Sequence, residues 1–87
     1  MVSLVGLALA GCDDRPQQWD AYIYPNRNDL TKHEKIAGFK TFELCRQAAI
    51  NRLRAMPDPA GGDYECGYRC GPKEGFGDAD LCKETRK

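Results

Sequence analysis

Tyr64-Glu65-Cys66-Gly67-Tyr68-Arg69-Cys70 decides the fold, because this stretch joins an alternating strand pattern to two of the five cysteines in the chain. Successive side chains of a strand point to opposite faces, so Tyr64, Cys66 and Tyr68 are expected on one side. Proline and glycine residues at 57–62 precede the stretch, and a glycine-rich polar segment follows it at 71–80. These segments end regular structure. The stretch therefore predicts a cysteine-bearing strand with a loop on each side.

Two further strands are expected nearer the N terminus. The aromatic and β-branched run Trp19–Tyr24 predicts the first, which Pro25 ends. Its period of two separates a face expected toward the core, with Trp19, Ala21 and Ile23, from an outward face with Asp20, Tyr22 and Tyr24. Residues 35–40 predict a shorter second strand that is interrupted near Gly38.

A helix is expected between the second strand and the Tyr64 strand. The Thr41 hydroxyl can accept a hydrogen bond from a free backbone N–H, and Glu43 suits the positive end of the helix dipole. Pro57 ends the helix near Met56. The apolar stripe at helical spacing comprises Cys45, Ala48, Ala49, Arg52, Leu53 and Met56. With an optional last strand over residues 81–85, the order is β-β-α-β(-β), which defines a small α+β domain.

The N-terminal segment is an apolar run that ends in Leu9-Ala10-Gly11-Cys12 and is followed by a polar stretch. This pattern resembles the lipobox of bacterial lipoprotein precursors, in which the cysteine is lipidated and the peptide is cut just before it. The resemblance implies a signal peptide over residues 1–11, a lipidated Cys12 with a tether over residues 12–18, and a domain over residues 19–87. It also implies a protein anchored by lipid to the bacterial cell membrane, with the domain in the periplasm and the choice of inner or outer membrane open. The alternative is a buried N-terminal strand or helix with an ordinary core cysteine.

The other cysteines predict disulfide bonds. Once Cys12 is assigned to lipid, Cys45, Cys66, Cys70 and Cys82 remain, and an even number in a small exported domain indicates two bridges. An antiparallel return of the chain from the helix brings both Cys66 and Cys70 within reach of Cys45, so two connectivities stay open. We favour Cys45 with Cys66 and Cys70 with Cys82, because local closures cost the least loop entropy.

Three segments carry a second resemblance: GFKTFELCRQAA at 38–49, YECGYRC at 64–70 and CKET at 82–85. They are similar to segments of small exported proteobacterial proteins whose activity is uncharacterised. The resemblance covers most residues after Trp19. It implies a compact cysteine-bridged domain and carries no activity with it.

Composition and motif spacing argue against several kinds of chemistry. The 13 basic and 13 acidic residues are interspersed and give no net charge, whereas nucleic-acid binding asks for a basic stripe. The only serine is Ser3, in the signal peptide, and the only histidine is His33, in a charged loop, so no nucleophile and base are expected to converge. One close cysteine pair with two isolated cysteines is a poor zinc pattern, and Asp78 with Asp80 lacks a calcium-loop pattern. We expect no catalytic residue, no metal and no cofactor.

Binding of a partner is the function that the remaining signals favour. Tyr22 and Tyr24 on the outward face, together with Phe76 in the glycine-rich loop, are the candidate contact residues, because aromatic side chains anchor protein interfaces. The prediction is a protein-binding or inhibitory module of the cell envelope. The alternative is a structural or stress-related envelope lipoprotein without a discrete ligand.

Overall fold

One antiparallel sheet with one helix packed on it makes up the protein in a computed structural model that describes residues 15–72 and 80–87. The strands are β1 (Trp19–Tyr24), β2 (Glu34–Phe39), β3 (Asp63–Pro72) and β4 (Asp80–Arg86). Helix α1 spans Phe42–Arg54, and a short 3₁₀ helix spans Pro59–Gly61. The α+β class is confirmed. The predicted order is matched in part, because a 3₁₀ helix precedes β3, β3 extends to Pro72, and the optional last strand is a full strand.

The sheet has the order β2-β1-β3-β4, so β1 is a central strand. It pairs antiparallel with β2 on one side and with β3 on the other, and β4 pairs antiparallel with β3. All six residues of β1 are buried. Treating one face of β1 as outward was wrong, because side chains of β4 and of the loop before β2 cover the face opposite the helix.

Helix α1 begins where the sequence predicts. The Thr41 Oγ1 accepts a hydrogen bond from the Leu44 N–H at 3.1 Å, which satisfies one of the free donors of the first turn. The helix packs on the face of β1 that was expected to form the core. The buried cluster there comprises Trp19, Ala21, Ile23, Cys45, Ala49, Met56 and Cys66. Arg52, predicted within the apolar stripe, instead donates two hydrogen bonds to the exposed Glu34 carboxylate at 2.7 and 2.8 Å.

Two disulfides, the number predicted, lie on opposite faces of the sheet. Cys45 of α1 bonds to Cys66 of β3, and Cys70 of β3 bonds to Cys82 of β4, which is the favoured pairing. Cys66 and Cys70 are four residues apart, so regular alternation would place them on the same face. Arg69 interrupts the alternation with a φ of 53°. As a result Cys66 packs against α1, whereas Cys70 packs with Tyr22 and Tyr24 on the other side.

The predicted interruption of the second strand is a bulge in β2. The register between β1 and β2 shifts between Trp19 and Ala21. Gly38 has a φ of 95°, a conformation that glycine adopts without a steric cost. Its N–H donates to Asp20 Oδ1 at 3.1 Å. The Gln18 side-chain amide donates to the same oxygen at 3.0 Å, so the nearly fully buried Asp20 carboxylate is held from two sides.

Several predicted features lie outside the described residues. These include Cys12, the signal peptide over residues 1–11 and Phe76. Their roles stay predictions. Among the residues that the structure does describe, none of the helices has the length and apolar character needed to cross a membrane.

Candidate functional site

A cavity of about 350 Å³ opens on the face of the sheet opposite α1, which we call the tyrosine pocket. Its volume lies at the lower end of the range for small-molecule and side-chain pockets. β1 and β3 form its floor, β4 forms one wall, and the loop before β2 forms the other. The pocket is lined by Tyr22, Tyr24, Leu30, His33, Glu65, Asp80, Leu81, Cys82 and Thr85.

Two tyrosine rings make the floor of the pocket. Tyr22 and Tyr24 project from the same face of β1, and they are only 5% and 8% exposed. The Tyr22 hydroxyl donates to Asp80 Oδ2 at 2.8 Å, and the Tyr24 hydroxyl donates to Glu65 Oε2 at 2.9 Å. Burial, followed by these hydrogen bonds to carboxylates, raises the pKa of both tyrosine hydroxyls far above their ordinary value. Both hydroxyls therefore stay protonated at neutral pH, and their hydrogen bonds hold the two rings in position.

Asp80 is held by a cation as well as by Tyr22. Lys35 Nζ lies 2.7 Å from Asp80 Oδ2 and 3.8 Å from Asp20 Oδ2. The same ammonium lies 5.8 Å from the centre of the Tyr22 ring. Burial raises the pKa of Asp80, but the hydrogen bonds from Lys35 and Tyr22 outweigh it, so this pKa lies below its ordinary value. The Asp80 carboxylate is thus ionised and paired at neutral pH.

His33 closes the pocket on the side of the loop. Its ring meets the rings of Tyr22 and Tyr24 in edge-on geometry, with centroid distances of 5.7 and 5.9 Å. Such edge-to-face contacts fix the relative positions of aromatic rings. The sequence predicted a solvated loop histidine, and His33 is indeed exposed while its ring packs on the tyrosines. No serine or cysteine thiol accompanies it in the described part of the pocket, where Cys82 is disulfide-bonded.

Two leucines lie among the exposed residues that line the pocket, together with His33 and Thr85. Leu30 is 54% exposed and Leu81 is 49% exposed, and both line the cavity. Burial of one large aliphatic side chain contributes about 1.5–3 kcal/mol. Two such side chains at one opening therefore favour contact with a partner that would bury them. The tyrosine pocket therefore combines a buried aromatic floor, two carboxylates and two exposed leucines.

The structure brings together some of the predicted contact residues and corrects their role. Tyr22 and Tyr24 do share one site, but they are its buried floor rather than exposed anchors, because their hydroxyls reach carboxylates on β3 and β4. Phe76 lies outside the described residues. Sequence analysis missed Leu30, Leu81 and Glu65. Glu65 had a usable signal, since the alternation of Tyr64 and Cys66 places it on the opposite face of β3.

Within residues 15–72 and 80–87, no three side chains of histidine, cysteine, aspartate or glutamate come together as metal ligands. Comparisons with models of known protein families, with curated proteins and with solved structures found no match.

The Asp80 pair gives a pH-dependent prediction. The folded-state pKa of Asp80 is depressed, so its contribution to stability is present above the ordinary aspartate pKa and is lost as pH falls through the folded-state value. Asp80→Asn is expected to lower the free energy of unfolding by about 1 kcal/mol at pH 7, with the difference from wild type shrinking toward pH 2. Urea unfolding between pH 7 and pH 2 measures this.

The matched control for that experiment is Glu84→Gln, which removes an exposed carboxylate of the same strand that lies 3.8 Å from Arg86. It should change the free energy of unfolding by less than about 0.5 kcal/mol at any pH. A deficit of Asp80→Asn that stays constant across the whole pH range would show that Asp80 does not act through its charge.

Proposed function

We propose that the chain is a lipid-anchored envelope protein that binds a partner protein through the tyrosine pocket, acting as a binding or inhibitory module. The observation that carries this proposal is the pairing of a rigid pocket floor with two exposed leucines at its mouth. A preformed site loses little conformational entropy when a partner side chain enters, so more of the contact energy contributes to affinity. The Leu30 and Leu81 side chains supply apolar area at the rim.

Two constraints fix the pocket before any partner arrives. The Cys70–Cys82 disulfide ties β4 to β3 beside the tyrosines, and the Tyr22 hydroxyl ties β1 to Asp80. Lys35 of β2 adds a third link to Asp80. All four strands are thus connected at or next to the pocket. These links hold the pocket in one shape, which suits binding of a partner better than an enzyme mechanism that needs a mobile lid.

Attachment through Cys12 would set where the partner must be. Residues 15–18 of the predicted tether pack on the domain, because the Arg15 guanidinium donates to the Leu81 carbonyl oxygen at 3.2 Å and the Arg69 N–H donates to the Gln18 carbonyl oxygen at 3.1 Å. An extended chain from Cys12 to Arg15 spans at most about 3.6 Å per residue. The domain would therefore lie within about 10 Å of the membrane surface. A partner within this reach is a membrane-bound or membrane-proximal envelope protein.

Site-specific photocrosslinking in cells tests the proposal. A photoreactive phenylalanine analogue placed at position 30 or 81 is expected to give one discrete adduct, whereas the same analogue at position 44 is expected to give none. Leu44 is the matched control, since it is 51% exposed and lies on α1 away from the pocket. The adduct is identified by mass spectrometry, and the purified partner is then titrated against the domain.

Charged substitutions complete the test. Leu81→Lys should weaken binding of the identified partner by at least about tenfold, because it places an unpaired charge at an apolar contact, and Leu44→Lys should leave the affinity unchanged. Equal adducts from positions 44 and 81, or no adduct from positions 30 and 81, would contradict the proposal. The latter result would favour the structural lipoprotein without a discrete ligand.

A further inference from the structure

The two carboxylates of the tyrosine pocket differ in how their charge is balanced. Asp80 accepts hydrogen bonds from both Lys35 and Tyr22. Glu65 accepts only from the neutral Tyr24 hydroxyl, and no lysine or arginine of the described ranges forms an ion pair with it. The lining of the pocket therefore carries one carboxylate that lacks a cationic partner.

The aromatic rings of the pocket show the same asymmetry. The Lys35 ammonium lies over the Tyr22 ring, at 5.8 Å from its centre. In the described part of the chain, no cation lies over the Tyr24 ring, although its hydroxyl is 2.9 Å from Glu65. A cation beside an aromatic face and a carboxylate gains from both the ring quadrupole and the charge. Tyr24 and Glu65 thus form an unfilled counterpart of the arrangement that Lys35 already makes with Tyr22 and Asp80.

The mouth of the pocket suits a long side chain with a charged end. Leu30 and Leu81 can pack against methylene groups, while the charged head reaches the carboxylate beyond them. Lysine and arginine bury their aliphatic stems against apolar surface in this way and keep the head at a polar group. A neutral aliphatic side chain would fill the same space but would leave Glu65 unpaired.

Building on the proposed function, we infer that the tyrosine pocket accepts a basic side chain of the partner protein, with its stem between Leu30 and Leu81 and its cationic head at Glu65 and Tyr24. The class of partner is therefore one that presents an exposed lysine or arginine at the centre of its contact surface. The Cys70–Cys82 bridge and the Tyr22 hydrogen bond hold the receiving site in place.

Three small probes test this inference on the full chain with both disulfides intact. N-acetyl-arginine amide, N-acetyl-lysine amide and the neutral N-acetyl-norleucine amide are each titrated while backbone amide chemical shifts are followed by NMR. We expect saturable shifts at β1, β3 and residue 81 with at least one of the two basic probes, and tenfold weaker or no saturation with the neutral one. The better basic probe indicates whether the partner offers arginine or lysine. Equal responses to all three would overturn the inference.

Three variants are expected to change the affinity for the basic probe in different ways. Glu65→Gln keeps the hydrogen bond to Tyr24 available and removes the charge, so it should weaken the basic probe about tenfold. Glu43→Gln removes a carboxylate of α1 that lies outside the pocket, so it should leave the affinity for the basic probe unchanged. Lys35→Met removes the cation that balances Asp80 and should strengthen binding of the basic probe, which a purely structural role of Lys35 would not produce. Unchanged affinity in both Glu65→Gln and Lys35→Met contradicts a cation site.

Failure of the inference can be told apart from failure of the proposed function. If a partner crosslinks at position 81 and its affinity is insensitive to Glu65→Gln, the partner uses the pocket without a basic side chain, and only the inference is wrong. If the basic probes bind and Glu65→Gln weakens them while no partner crosslinks, the pocket is a cation site and the protein-binding proposal is wrong.

Discussion

Replacing Cys45 and Cys66 together by alanine is expected to lower the free energy of unfolding by about 3 kcal/mol, a large share of the total for a domain of this size. The bridge closes a sequence separation of 21 residues and is the covalent link between α1 and the sheet. Both of its cysteines are fully buried in the core cluster. Thermal melting and urea unfolding under non-reducing conditions measure the loss.

The second bridge provides the matched control. Cys70 and Cys82 are separated by only 12 residues and join neighbouring strands that are already paired. In the chain-entropy picture this shorter loop gives about 0.5 kcal/mol less stabilisation than the longer one. Cys70→Ala with Cys82→Ala should therefore cost less than the first double replacement. A larger loss from the second pair would contradict the role assigned to the helix-to-sheet bridge.

Gly67→Ala is expected to destabilise the protein by roughly 2 kcal/mol, because the new methyl group has no room on the sheet. A Cβ at position 67 would lie 3.2 Å from the Cys82 Cβ and closer still to both sulfurs of the Cys70–Cys82 bridge. Backbone pairing to β1 and β4 on either side holds Gly67 in place, so the strand cannot shift easily. The melting temperature and the urea midpoint should both fall.

A double-mutant cycle identifies the sulfurs as the cause. In a Cys70→Ala, Cys82→Ala background, the additional cost of Gly67→Ala should fall below about 1 kcal/mol, since both sulfurs are gone and only the 3.2 Å approach to the Cβ of residue 82 remains. Gly38→Ala serves as the control. Nothing lies within 4 Å of its Cβ position, so its cost comes from the φ of 95° alone and should be the same in both backgrounds. Additive costs for Gly67→Ala would rule out the steric explanation.

The elements of the fold follow from local sequence signals. Thr41 and Pro57 mark the ends of a helix, and the run at residues 19–24 is rich in strand-forming residues, so both elements are predictable without tertiary information. The structure has the disulfide pairing that the sequence favoured. Of the two open connectivities, this pairing closes the shorter loops and so costs less chain entropy. The bulge at Gly38 is visible as a break in the pattern, although its hydrogen bond to Asp20 is not.

The functional site is less predictable because it depends on which strands become neighbours. Tyr22 and Tyr24 are assigned to one face of β1 by period alone, but whether that face is covered depends on β4 and on the loop carrying His33. Arg69 is the hardest feature to foresee, since a positive φ at a non-glycine residue has no local sequence signal. The positive φ at Arg69 places Cys70 on the tyrosine face of the sheet. The bonded Cys82 of β4, which lines the pocket, lies on that face as well.

The central proposal for this protein is an exported domain that is anchored through Cys12 and closed by two disulfides. Intact-mass spectrometry of the protein isolated from native membranes tests this claim most directly, because it reports the first residue, the acyl mass and the number of free thiols together. We predict a chain that begins at an acylated Cys12 and has no free thiol, and a Cys12→Ser variant that loses the lipid and leaves the detergent phase. A chain that retains Met1, carries no lipid and has free thiols at Cys45, Cys66, Cys70 and Cys82 would contradict the account.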